Sequence, residues 1–123
     1  MKYLCSVFFD EKNLEALSQQ EYERLNEESL AYDDVLRKAG HFVAAQALQP
    51  VQAATTLRLR AGKVSITDGP FAETTEQIGG FLLIEARDLN EAIQLASRMP
   101  VLRLGGVEVR PIKEIPRGAV QNS

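Results

Sequence analysis

The stretch Tyr3-Leu4-Cys5-Ser6-Val7-Phe8-Phe9 is apolar at both alternating positions, with Ser6 the single break. A strand that is apolar on its odd and even positions alike is buried on both faces, which places it centrally in a sheet. A second run of the same kind, Gly80-Phe81-Leu82-Leu83-Ile84-Glu85-Ala86, comes late in the chain. Two interior strands so far apart in sequence require other strands at their edges, and the segments between them supply the candidates.

Ser18-Gln19-Gln20-Glu21 has capping-box spacing, and Leu17 is placed to staple onto Tyr22, so a helix is predicted to begin near residue 19. It ends at Gly40, which follows the cations Arg37 and Lys38 and tolerates the left-handed C′ conformation. Such a helix is roughly 20 residues and about 30 Å long. Tyr22, Leu25, Ser29, Tyr32, Leu36 and Ala39 recur along it at three- and four-residue steps and form the stripe expected to face the sheet. Glu21, Glu23, Glu27, Glu28, Asp33 and Asp34 read as solvated.

His41 to Leu48 reads as a strand ended by Gln49-Pro50. Thr55 to Arg60 and Lys63 to Thr67 alternate across Ala61-Gly62, a two-residue hairpin signal with one wet and one buried face expected. Asp88 caps a second helix whose buried stripe is predicted as Leu89, Ala92, Ile93, Ala96 and Met99, stopped at Pro100. After a loop, Val107 to Ile112 alternates as a last strand, and Pro111 puts it at a sheet edge. Without the hairpin the order is βαββαβ, the α+β ferredoxin-like unit: an antiparallel sheet with two helices on one face and the first and third main strands in the middle. The helix-free face is then apolar and needs a cover. A second copy of the chain is the simplest cover, giving a dimeric α+β barrel-like assembly. Residues 1–112 form the single domain of this reading, and 113–123 a polar tail that is flexible or contacts a partner subunit.

With 123 residues, 45% hydrophobic and 25% charged, the chain has the make-up of one ordinary globular domain. A formal charge of −3 gives no electrostatic case for nucleic acid. No apolar run is long enough for a membrane span, so neither a nucleic-acid nor a membrane partner is expected. The lone Cys5 has no intramolecular partner and reads as a small buried hydrophobe, which suits a reducing cytoplasm. No Cys/His spacing suggests a metal, and no motif implies a cofactor.

Chemistry concentrates between the hairpin and the late apolar run, in residues 67–81. Gly69 and Pro70 restrict the backbone from Asp68 to Phe71, and a turn with few accessible states holds a carboxylate at little cost. Asp68 and Glu73 are the acid/base candidates. Gly69, Pro70, Phe71, Gly79 and Gly80 are the candidates for close approach to a ligand, with Ser29, Tyr32 and the only histidine, His41, as hydrogen-bonding groups. The same residues equally make a fastened turn and a β-bulge.

Asp68-Gly69-Pro70-Phe71-Ala72-Glu73-Thr74, followed by Glu76-Gln77-Ile78-Gly79-Gly80-Phe81, resembles the signature of the DGPF-domain proteins, a branch of the YCII-related family. The similarity extends to Met1-Lys2-Tyr3, to Ala39-Gly40-His41, to Ala45 through Pro50 and to Val107 through Ile112. The resemblance implies a ferredoxin-like fold, a homodimer and a biochemical role that is poorly defined, some members being found alongside extracytoplasmic-function sigma factors. It also implies a His-Asp pair for the wider group. Here the histidine position falls near Ser29 and the Asp-Pro position near Met99-Pro100, so neither partner of that pair is present.

Three roles follow. One is a small-molecule enzyme or binding protein with a pocket between the first long helix, the sheet and the Asp68 loop. Another is a regulatory module for a protein such as a sigma factor, and the third is a purely structural dimer.

Overall fold

The structure, a computed structural model, describes residues 1–118. The predicted tail therefore lies partly outside the described residues. The two apolar runs are β1 (Lys2–Phe9) and the strand Gln77–Glu85. They pair antiparallel, Tyr3 opposite Ile84, Cys5 opposite Leu82 and Val7 opposite Gly80. Between them come β2 (Phe42–Ala47), β3 (Thr55–Arg60) and β4 (Lys63–Asp68), so the late run is β5, and β6 (Gly105–Pro111) closes the order. Four strands form one sheet in the order β2-β5-β1-β6, and β3-β4 form a separate two-stranded ribbon. The molecule is α+β with antiparallel sheets, compatible with the ferredoxin-like reading.

Among the described residues three α-helices accompany the strands: α1 (Glu11–Glu15), α2 (Gln19–Lys38) and α3 (Leu89–Ala96). The capping box at Ser18 is present in both directions, Glu21 N–H to Ser18 Oγ at 3.1 Å and Ser18 N–H to Glu21 Oε1 at 2.8 Å. Gly40 ends α2 with φ +83°. Asp88 caps α3, its Oδ1 accepting from the Glu91 N–H at 2.9 Å. One short helix, α1, is capped by Asp10 and was not foreseen; its five residues are too few for a periodic pattern.

Tyr3, Cys5, Val7 and Phe9 of β1 and Leu82 and Ile84 of β5 point to one face of the sheet. They close a core there with Leu25 and Leu36 of α2 and Ala92 and Ala96 of α3. Cys5 is fully buried, and burial pushes its thiol up to about 11, so it is a packing residue as expected.

Two expectations need correction. Leu89 and Ile93 of the α3 stripe are about half exposed, because the small Ala92 and Ala96 bring the helix down on a narrow seam. The hairpin has no buried face. Leu57 pairs with Ile66 and Leu59 with Val64 on one side of the ribbon, and all four are 60–73% exposed. The ribbon stands apart from the main sheet, so alternation in sequence finds no surface to pack against.

Gly105 pairs with Phe9 at the start of β6, and a Cβ there would run into the Phe8 carbonyl oxygen, whereas at Gly106 it meets open space. Gly105→Ala is expected to cost about 1–3 kcal/mol by overpacking. Gly106→Ala should cost much less, and thermal unfolding of the two variants, if equal, would show that β6 shifts freely.

Candidate functional site

Beneath α2 lies a cavity of about 520 Å³, within the range that holds small ligands. Its floor is the sheet, through Val7, Phe9, Ala45, Gly79, Gly80 and Leu82, and one end is closed by Met99, Pro100, Val101 and Leu104. The α2 wall carries Tyr22, Asn26, Ser29 and Asp33. These four recur at four-, three- and four-residue steps, so they form a single stripe beside the buried Leu25–Leu36 seam. Gln46 of β2 also reaches the cavity. Among the described residues, no side chain of this stripe, nor that of Gln46, is hydrogen-bonded to the protein. Ser29 therefore does not bond back to the carbonyl one turn earlier, which is the usual fate of a mid-helix serine.

Among the described residues Asp33 is the only ionisable carboxylate on the cavity wall. Burial lifts its carboxyl above the ordinary aspartate range; the nearby Arg37 guanidinium opposes the shift and Asp34 adds to it. Arg37 is itself committed, with Nη1 2.6 Å from Asp34 Oδ1 and its guanidinium 4.2 Å above the Phe42 ring. A carboxylate of this kind, desolvated and without a fixed partner, suits acid/base work. In sequence Asp33 reads as one of the solvated acids; the signal that finds it is its position one turn after Ser29.

Of the residues expected to act together, the cavity gathers Ser29, Tyr32, Gly79 and Gly80. Tyr32 has a structural task as well, since its hydroxyl donates to the Leu95 carbonyl at 2.6 Å and ties α2 to α3. Burial raises its phenol, with Arg98 opposing and Cys5 reinforcing the shift. The glycines permit close approach: a Cβ at Gly79 would strike the Phe9 ring, and one at Gly80 would lie 2.7 Å from the Gln46 carbonyl oxygen. His41 lies outside the cavity. Its Nδ1 is 2.8 Å from the Glu85 carbonyl, which as an acceptor requires the proton on Nδ1.

The Asp68 loop also lies outside. Gly69, at φ +106°, donates its N–H to the Ala54 carbonyl at 2.8 Å, and its own carbonyl accepts from Thr56 Oγ1 at 2.8 Å. The Arg58 guanidinium sits 4.0 Å above the Phe71 ring and donates to the Phe71 carbonyl at 3.3 Å. These contacts fasten the turn to the ribbon. Asp68 is exposed, while Pro70 and Glu73 border a second recess of about 510 Å³ with Asp10, Glu11 and Glu15. Glu11 is used there to hold the Val51 N–H at 2.9 Å. Among the described residues no three His, Cys, Asp or Glu side chains converge to hold a metal.

An antiparallel α+β body with a ligand-sized chamber under its long helix is the class the geometry defines. The chain belongs to the YCII-related family, whose domain matches residues 1–116. It is also similar to an uncharacterized protein of Rhizobium meliloti (strain 1021), 38% identical over 114 residues that cover 91% of this chain and 92% of the relative. Ser29 and Met99-Pro100, near which the positions of the His-Asp pair fall by resemblance, line the chamber, as does Asp33. Among the described residues no helix is long and apolar enough to cross a membrane.

Because the folded-state pKa of Asp33 is raised, the native state holds its proton more tightly than the unfolded chain does. Its contribution to stability is full below the unfolded value and is lost as pH rises through the folded one. Asp33→Asn is therefore expected to raise the thermal midpoint slightly at pH 7 and to leave it nearly unchanged at pH 3. A drop at pH 7 would show that the ionised carboxylate supports the fold.

Proposed function

We propose that the protein binds a small molecule in the chamber beneath α2, with Asp33 as its acid/base group and Asn26 and Ser29 as hydrogen-bonding partners. The observation that carries this reading is the stripe Tyr22, Asn26, Ser29 and Asp33, whose polar groups face an otherwise apolar cavity without protein partners. Ser29 and Asp33 are half-buried while Tyr22 and Asn26 are exposed, and half-buried polar groups left open in this way cost stability unless something pairs with them. Titration with 2-phenylethanol, a neutral probe with an apolar body, is expected to give saturable NMR shifts at the amides of Ser29, Gly79 and Gly80. Ser29→Phe, which fills the chamber, should abolish them. Absence of saturable shifts at these amides in the parent protein removes the reading.

We further propose that the protein works in the cytoplasm as a homodimer, with the sheets of two ferredoxin-like domains packed face to face as in a dimeric α+β barrel. Its support is the sheet face opposite the helices, where Leu4, Phe8, Phe81 and Leu83 lie outside the helix-covered core. The lone, buried Cys5 suits a reducing compartment. A second reading, a regulatory module that docks on a protein such as an extracytoplasmic-function sigma factor, draws on the exposed Leu57, Leu59, Val64 and Ile66 of the ribbon. Sedimentation velocity separates the two. Leu83→Glu is expected to convert dimer to monomer while Leu59→Glu sediments as the parent, and a parent that sediments as a monomer at micromolar concentration rules the dimer out. Loss of a co-purifying protein on Leu59→Glu alone would favour docking.

A further inference from the structure

The charge on the chamber wall selects among ligands. Among the described residues Asp33 is the single charged side chain that reaches the cavity, and no Lys, Arg or His lines it. The guanidinium that acts on the Asp33 carboxyl, that of Arg37, is held by Asp34 and by the Phe42 ring and is not part of the lining. A carboxylate or phosphate ligand would thus meet an anion and find no fixed cation. Around Asp33 the helix offers further acceptors in register, Ser29 Oγ one turn earlier and the Asn26 side-chain carbonyl nearly one turn before that. An ammonium carries three donors and no acceptor, which is the complement of this set. The remaining walls, Val7, Phe9, Leu25, Leu82, Met99 and Val101, are apolar and ask for an apolar body.

We propose that the chamber selects small primary amines with an apolar body, the ammonium pairing with the Asp33 carboxylate and donating to Ser29 and Asn26 while the body lies against Phe9 and the glycine floor. This rests on the chamber being a ligand site. The lifted carboxyl of Asp33 agrees with it, since a bound cation relieves the cost of the desolvated charge. Within the chamber, Tyr22 at the outer end of the stripe and Gln46 on the sheet are neutral and set no charge preference.

The test compares three probes of nearly equal size at pH 7, 2-phenylethylamine, 2-phenylethanol and phenylacetate, by NMR titration of the whole protein. The amine is expected to bind about tenfold more tightly than the alcohol, as a charge-assisted hydrogen bond allows, with phenylacetate weakest. Asp33→Asn should bring the amine to the affinity of the alcohol. Glu27→Gln, which removes an exposed α2 charge outside the cavity, should keep the preference. Amine and alcohol binding equally, phenylacetate binding best, or a preference that survives Asp33→Asn each overturns the amine assignment and leaves the chamber standing. If none of the three shifts Ser29 and Gly80 saturably, both the assignment and the ligand-site reading fall.

Discussion

Everything else in the molecule is arranged about the antiparallel pairing of β1 with β5. That register places Tyr3, Cys5, Val7, Leu82 and Ile84 on one side of the sheet and Leu4, Ser6, Phe81 and Leu83 on the other. A slip of one residue would exchange the two sets, so the helices have only one side on which to settle. Leu25 and Leu36 of α2 and Ala92 and Ala96 of α3 settle there, and the Tyr32 hydroxyl fixes the distance between the two helices through the Leu95 carbonyl. Near residue 80 the register shifts between Val7 and Phe8, opposite the Gly79-Gly80 pair. The absence of side chains there leaves room that the Phe9 ring and the chamber share. The chamber is thus a by-product of how the two central strands end their pairing.

The fold was legible where local chemistry and long-range packing agree. Ser18 with Glu21, Gly40, Asp88 and Ala61-Gly62 each mark a boundary by their own hydrogen bonding or backbone freedom, and each boundary is where it was read. Pro111 also marks an edge, since β6 pairs on one side only, with β1. What failed depends on what lies opposite a residue. Leu57, Leu59, Val64 and Ile66 alternate as a half-buried strand should, yet among the described residues nothing covers them. Leu89 and Ile93 fall on the apolar side of α3, but two alanines take the contact.

The site was legible only in part, for a related reason. Ser29, Tyr32, Gly79 and Gly80 were singled out and do share one cavity. Asp33 escaped because an acid among many acids on a helix reads as solvated, and only the stripe from Tyr22 through Asn26 and Ser29 distinguishes it. The conspicuous Asp68-Gly69-Pro70-Phe71 motif drew attention for its rigidity. That rigidity serves the ribbon: both backbone polar groups of Gly69 are tied to the start of β3, and Phe71 is stacked under Arg58.

The ribbon has one more consequence. β3 and β4 pair with each other and with no strand of the main sheet. An isolated two-stranded hairpin is marginal in water, so its hydrogen bonds open at a small local free energy while the main sheet opens only with the whole fold. One short chain thus holds two units of different cooperativity, joined by the residues between Ala47 and Thr55 and by those between Asp68 and Gln77. Amide exchange on such a protein would be bimodal by segment, and a solution that melts the ribbon first would leave the chamber's floor, walls and stripe in place.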